Sequence, residues 1–386
     1  MTPIRISIVT ETYVPDVNGV ANSLRHLIQA LDSDKYRIQI IRTRPKTSWL
    51  PEVEEVWING LTIPMYPDLQ IGLPARKRIS AVWQQFQPQL VFIATEGPLG
   101  NSALNEAQQR GLPVLSAFHT NFHRYSSYYG LGWIKALTLS WLRRFHNRTL
   151  GTLVPAAESA EFLQQSGFEN VHVLPHSVDC ELFHPRRRSA SLRSQWQVKD
   201  SQPVALYVGR VAAEKNIPQV VDCYRQLQQQ QPELTLVVVG DGPLRSSLQQ
   251  QYPDIIFAGV QTGEALGRYY ASADLFMFAS QTETFGLVTL EAMASGLPVV
   301  AYDLAAAGQF VRNDIDGQLA AVESPAAFTA AARRLLEMDL FKAGQAAREN
   351  AEQASWEKVT GLFDQHVQGA INPCYSKNAD GIQTMV

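Results

Sequence analysis

Two carboxylates eight residues apart, Glu283 and Glu291, lie in the stretch 280–301, which reads Ser-Gln-Thr-Glu-Thr-Phe-Gly-Leu-Val-Thr-Leu-Glu-Ala-Met-Ala-Ser-Gly-Leu-Pro-Val-Val-Ala. The apolar runs on either side, Leu275 to Phe278 and Val299 to Ala301, have no helical period, so the segment reads as strand, loop, helix, turn, strand. Gly296 and Pro298 end the helix. The loop leaving a strand's C-terminal end is where open α/β sheets bind ligands, and the helix that follows offers free backbone N–H groups to an anion. With a helix from about Phe285, Glu291 stands six residues on, roughly 9 Å along the axis, and Glu283 stays outside it. That is too stretched to assume a glycosidase pair of carboxyls roughly 5 to 10 Å apart. The alternative is that the two grip different parts of one long polar ligand whose phosphate sits at the helix N-terminus, with Gly286 letting the backbone come close. A plainer reading has Glu291 facing solvent and Glu283 favouring the helix dipole.

A second constellation carries the opposite charge. The strand Val204 to Val208 runs into Gly209-Arg210-Val211-Ala212-Ala213-Glu214-Lys215-Asn216, with a helix starting near Ile217-Pro218 and Asn216 as its N-cap. Two cations five residues apart on a strand-to-helix loop call for an anion, and a planar fork at Arg210 with a mobile point charge at Lys215 suits a diphosphate. His119 follows the strand Val114 to Ala117, where an imidazole can donate to a sugar hydroxyl, support charge near a reaction centre, or serve only the core. His123 stands close by in sequence. The first loop, from Thr10 to Gly19, follows the strand Ile4 to Val9 and lacks G-x-G-x-x-G, which disfavours a dinucleotide oxidoreductase. Gly19, at a helix start, is placed to present amides to phosphate or acceptor, or is a simple turn.

The elements that must position these groups alternate strand and helix along the whole chain, which predicts α/β domains with parallel sheets. At 386 residues and 45% hydrophobic content the chain suits two domains. The boundaries read as a first domain over 1–180, a linker over 181–202 around Arg186-Arg187-Arg188, and a second domain over 203–355. A helix over 356–370 crosses back to the first domain, and 372–386 reads as a disordered tail. A net charge of -3 argues against nucleic acid as a partner. Cys180, Cys223 and Cys374 form no C-x-x-C and suggest a reduced compartment without a cysteine-based metal site. No stretch of about 20 apolar residues is present to span a bilayer, and the N-terminus lacks the form of a secretory signal. The expected location is cytoplasmic. Trp133 to Arg148 mixes bulky apolar residues with Lys135, Arg143, Arg144 and Arg148, and Arg76-Lys77-Arg78 adds a second basic cluster. These read either as peripheral contacts with an anionic membrane or as helices with solvated basic edges.

The stretch 273–300 resembles the retaining, family-4 glycosyltransferases of GT-B fold: Glu283 and Glu291 match their E-x7-E motif, and Ala273-Asp274-Leu275-Phe276 and Glu291 to Val300 match its surroundings. Gly209-Arg210 and Lys215, five positions after the arginine, match the family's G-R…K group, and His119 its N-terminal-domain histidine; Gly240 and Gly242 allow the chain to turn tightly beside a nucleotide. Pro15 to Gly19 with Asn22-Ser23 resembles the subgroup of GDP-mannose-dependent α-mannosyltransferases and sulfolipid-forming enzymes. The resemblance implies two Rossmann-like doubly wound domains facing a cleft, acceptor on the first and nucleotide sugar on the second. It implies hexosyl transfer from a nucleoside-diphosphate sugar, GDP-mannose first and a UDP-hexose second, to a hydroxyl of a lipid or glycan. Glu283 would bind sugar hydroxyls, Glu291 the ribose, and the Phe285, Gly286 and Leu287 amides the diphosphate and sugar. Arg210 and Lys215 would neutralise the leaving diphosphate, Gly209 would flank it, Val260 would lie by the base, and His119 would contact the hexose. No metal or other cofactor is expected, and the D-x-D at Asp314 and Asp316 reads as a turn. A nucleotide-sugar-binding protein without catalysis is the rival reading. His176-Ser177 replaces the family's usual residues before Val178-Asp179, with no evident consequence.

Overall fold

The computed structural model describes residues 2–16, 18–63, 66–119, 132–283, 285–354 and 356–372. His123 and the tail beyond Asn372 fall outside these, as do the side chains of Trp133 and Lys135. The chain divides into two compact units, one running to His176 and taking up the last helix, the other spanning Ser177–Ser355.

In the first unit the order is β1 (Ile4–Thr10), α1 (Gly19–Ala30), β2 (Tyr36–Thr43), β3 (Glu54–Ile58), β4 (Gly60–Ile63), β5 (Tyr66–Gly72), α2 (Arg76–Phe86), β6 (Leu90–Ile93), α3 (Pro98–Gln109), β7 (Val114–Ala117), α4 (Gly132–His146), β8 (Gly151–Val154), α5 (Ala157–Gln165) and β9 (Val171–Val173). Seven of the strands form a parallel sheet ordered β3-β2-β1-β6-β7-β8-β9, while β4 and β5 pair as an antiparallel hairpin. The strand runs are apolar on both faces, as a sheet covered on both sides requires. Ile6, Ile8, Leu90, Val91 and Ile93 are fully buried. The strand order reverses between β1 and β6, so the loop after β1 that ends at Gly19 opens at a topological switch point.

The second unit continues with α6 (Ala190–Gln195), β10 (Val204–Val208), α7 (Ile217–Gln228), β11 (Thr235–Val239), α8 (Arg245–Gln251), β12 (Ile256–Gly259), α9 (Gly263–Ser272), β13 (Leu275–Phe278), α10 (Leu287–Ala294), β14 (Val299–Tyr302), α11 (Ala305–Phe310), β15 (Gly317–Ala320), α12 (Pro325–Glu337) and α13 (Leu340–Gln353). Its six strands are parallel in the order β12-β11-β10-β13-β14-β15, and the reversal falls between β10 and β13. The loops bearing the two constellations singled out above therefore leave neighbouring strands.

The last helix, α14 (Trp356–Ile371), packs on the first unit. Phe363 and Val367 are fully buried there, and the Phe363 ring meets Phe92 edge-on at 5.4 Å.

The expected linker over 181–202 is instead part of the second unit. Pro185–Arg187 forms a 3-10 turn, α6 follows, and Trp196 is buried. Arg193, with a side chain only 1% exposed, donates to the carbonyls of Ser272 (2.8 Å) and Gln202 (2.7 Å) and to Asp274 Oδ2 (3.0 Å). A run rich in Ser, Gln and Arg looks like a linker by composition, but one buried guanidinium that donates through both of its Nη atoms ties it down.

Candidate active site

The site of the second unit is built from two loops at its switch point. The first, after β10, stays close to its neighbour because glycines allow it. Gly240 has φ 136°, and a Cβ there would stand 1.9 Å from the Gly209 carbonyl oxygen. The two turns are joined by hydrogen bonds from Gly209 N to Val239 O (3.0 Å) and from Val211 N to Asp241 O (2.9 Å). Lys215 ends a short 3-10 turn, and Asn216 takes the left-handed conformation before α7 without capping it through its side chain. The N-cap role expected of that side chain is therefore absent, because the backbone turn places it elsewhere. Arg210 Nη1 donates to Glu214 Oε1 at 2.9 Å, and Glu214 is buried, so one edge of the fork is held from beneath while the guanidinium is partly exposed.

The second loop runs from Ala279 to Gly286. Helix α10 begins at Leu287, two residues later than the sequence pattern suggests, because Gly286 at the cap position is left-handed (φ 85°, ψ 57°) and turns the chain before the helix starts. Glu291 is thus in the second turn, and the first amides of α10 have no partner within the helix. Phe285 is buried against Phe310, and its carbonyl accepts from Ala306 N at 2.7 Å.

The two loops meet through charge. Lys215 Nζ forms an ion pair with Glu283 Oε1, which also accepts from Ser280 Oγ at 2.6 Å. Thr282 Oγ1 donates to the Glu214 carbonyl at 2.9 Å, a second stitch. Glu291 is half-buried and accepts from the Tyr270 hydroxyl at 2.8 Å. Burial pushes its carboxyl up to about 7, with the Tyr270 hydrogen bond acting in the opposite direction. The plain reading of Glu291 as a solvent-facing residue does not describe it. Val260 follows β12, is 55% exposed, and lies two strands away from β10.

The unit thus brings Arg210, Lys215, Glu283, Phe285 and Gly286 onto adjacent loops, with Gly209 at their root, Leu287 at the first position of α10 and Glu291 in its second turn. Ser280, Thr282, Glu214 and Tyr270 were not singled out from the sequence. Ser280 and Glu283 are three residues apart and Arg210 and Glu214 four, which are signals for local hydrogen bonds; Thr282 and Tyr270 act across tertiary contacts that no local pattern announces.

Gly19 and His119 lie in the first unit. Gly19 is the first residue of α1, capped by Asn18, whose Oδ1 accepts from Ala21 N at 2.9 Å. A Cβ at Gly19 would meet nothing within 4 Å, so no contact within the protein requires a glycine there. The preceding loop is held by buried Arg42, which donates to the carbonyls of Tyr13 (3.1 Å) and Val14. His119, just past β7, stacks on His176 with ring centroids 5.6 Å apart and planes 20° from parallel. The two line one pocket with Ser23 and Trp356. Burial lowers the imidazoles to about 4 at His119 and about 3 at His176, which leaves both neutral near pH 7. The departure at His176 thus puts a second ring against His119.

Asp314 and Asp316 point to different partners. Asp316 is fully buried and accepts from Arg312 N and Nε, each at 2.6 Å, while Asp314 Oδ1 accepts from Gln318 Nε2 at 2.6 Å. Among the described residues no group of three or more His, Cys, Asp or Glu could hold a metal ion. No helix among them is long and apolar enough to cross a membrane.

The family described as "Glycosyltransferase Family 4" matches residues 17–182, and "Glycosyl transferases group 1" matches residues 189–354. The chain is similar to the GDP-mannose-dependent alpha-mannosyltransferase of Mycolicibacterium smegmatis, at 31% identity over 95% of this chain and 98% of that one. It is 27% identical to the alpha-monoglucosyldiacylglycerol synthase of Streptococcus pneumoniae, over 77% and 71% of the two. Among solved structures it is similar in fold to a sucrose-phosphate synthase from Thermosynechococcus elongatus (TM-score 0.78, 20% identity, 95% and 98% of the two chains).

Proposed function

The chain belongs to the family-4 glycosyltransferases of GT-B fold, and from that membership we propose that it transfers mannose from GDP-mannose, with retained configuration, to a hydroxyl of a lipid or glycan. The observation that carries the reading is the meeting of two loops at the second unit's switch point, where Lys215 and Glu283 face each other beside Arg210. Arg210, Lys215 and the first amides of α10 take the diphosphate and stabilise the charge it gains as the sugar leaves. Glu283 accepts from sugar hydroxyls, Glu291 from the ribose, and neutral His119 serves as a hydrogen-bond partner of the hexose rather than as a charge. Val260 lies beside the base. The choice of GDP-mannose rests on the relative from Mycolicibacterium smegmatis, and the lipid acceptor on the name of the diacylglycerol-glucosylating relative.

A peripheral place at the cytoplasmic membrane face goes with a lipid acceptor. Leu137 and Trp141 on α4 are 66% and 46% exposed. Part of the basic surface is already engaged: Arg76 pairs with Glu106 at 3.1 Å, and Arg148 donates to Asn105 at 2.6 Å.

The test is transfer from labelled GDP-mannose and, separately, UDP-glucose to a diacylglycerol or glycan acceptor, with and without EDTA. GDP-mannose is expected to be used in preference, and activity to survive chelation because Arg210, Lys215 and a helix N-terminus offset the diphosphate. Loss of activity in EDTA restored by magnesium or manganese would overturn the metal-free reading; preference for UDP-glucose would overturn the donor.

The elevated Glu291 carboxyl gives a pH signature. Its ionised form is the better acceptor for ribose hydroxyls, and in the free protein it holds its proton below about 7. Lowering the pH from 8 to 6 should therefore weaken GDP binding. By linkage, the dependence on this group cannot exceed about tenfold per pH unit. Calorimetry across that range checks this, and a Glu291→Gln variant should show a flatter profile; equal slopes would exclude Glu291 as the titrating group.

A further inference from the structure

We propose that Tyr270 is a positioning residue for nucleotide recognition: its hydroxyl fixes the Glu291 carboxylate in the orientation that receives the ribose hydroxyls. This rests on the reading of Glu291 as the ribose-binding group. Tyr270, on α9, is fully buried, with its ring edge-on to Phe183 (5.5 Å, 87°) and tilted on Phe276 (5.8 Å, 48°). An aromatic side chain has two torsions, and packing on both sides leaves its hydroxyl one location. That location is 2.8 Å from Glu291 Oε2.

A buried tyrosine hydroxyl needs an acceptor, but a backbone carbonyl suffices. In the same unit Tyr207 uses the Arg210 carbonyl (3.0 Å) and Tyr224 the Leu234 carbonyl (3.2 Å). Tyr270 instead directs its proton to the second glutamate of the E-x7-E pair. A glutamate has three torsions, and confining it only when ligand arrives would cost binding free energy. The Tyr270 bond occupies one lone pair of Oε2 and leaves Oε1 and the remaining lone pairs for two neighbouring hydroxyls.

The test compares the wild-type protein with Tyr270→Phe in binding GDP, 2′,3′-dideoxy-GDP and inorganic pyrophosphate by calorimetry, together with donor KM and kcat. In Tyr270→Phe, GDP affinity is expected to fall about tenfold, the scale of one charged hydrogen bond. The preference for GDP over the dideoxy form should shrink by about the same factor. Pyrophosphate affinity and kcat at saturating donor should stay within about twofold. An unchanged ribose preference in the variant would overturn the role of Tyr270. A parallel loss of pyrophosphate binding would also overturn it, since that marks general damage to the fold. If the wild-type protein itself bound GDP and dideoxy-GDP equally, the assignment of Glu291 to the ribose would fall first, and the role of Tyr270 with it.

Discussion

Replacing Lys215 by alanine is expected to lower kcat by about a hundred- to a thousandfold, the scale on which removing one preorganised donor to a developing negative charge acts. The ammonium is held at the meeting of the two loops, and its side chain is 19% exposed. Its pairing with Glu283 costs it little reorganisation when a diphosphate takes the carboxylate's place. Arginine at 215 should restore only part of the rate, because a rigid fork cannot follow the leaving group as a flexible ammonium does. Turnover at saturating donor is the measurement. A loss below tenfold in Lys215→Ala would move the leaving-group role to Arg210 and the helix amides alone.

The second large effect separates the two carboxylates. If Glu291 holds ribose in ground and transition states alike, Glu291→Ala should weaken nucleotide binding by about 1.5 to 3 kcal/mol, roughly ten- to a hundredfold, with kcat changed far less. Glu283→Ala should do the reverse. Free GDP binding should be nearly unchanged, while turnover collapses because the sugar is no longer held. Calorimetry with GDP beside turnover assays of both variants decides this. Equal losses of nucleotide affinity in the two would mean that the ends of the donor have been assigned wrongly.

How far the sequence revealed this site depended on the range of each interaction. The strand, loop and helix around Glu283 and Glu291 were legible because apolar runs of four residues bounded by Gly and Pro are local signals. The Arg210–Lys215 loop was legible for the same reason. The start of α10 was misplaced by two residues because a left-handed glycine can open a helix as well as close one, and composition does not say which. Thr282 and Tyr270 escaped because each acts on a residue from another segment. Thr282 reaches 68 positions back to the Glu214 carbonyl, and Tyr270 reaches Glu291 from the preceding helix. Arg193 and Arg42 were hidden by their type. Arginine is rarely buried, and only the finished fold supplies enough carbonyls and carboxylates to bury one. His176 was visible as a departure from the family pattern, but its stacking on His119 depends on two strand ends 57 residues apart in the chain.

The packing of α14 on the first unit has a consequence for the order of synthesis. The nascent chain makes residues to His176 first, but the core they begin stays open until Val359, Phe363 and Val367 leave the ribosome, after the whole of the second unit has been translated. At about 5 to 20 residues per second, the 179 residues from Ser177 to Ser355 keep that apolar face waiting for roughly 10 to 35 seconds. The second unit, continuous in sequence, can close in the meantime. Stalled nascent chains released at residue 354 should therefore resist protease across 177–354 and be cut within 1–176, and extension past Ile371 should protect both. Early protection of 1–176 in the shorter chain would show that the first unit closes without its last helix.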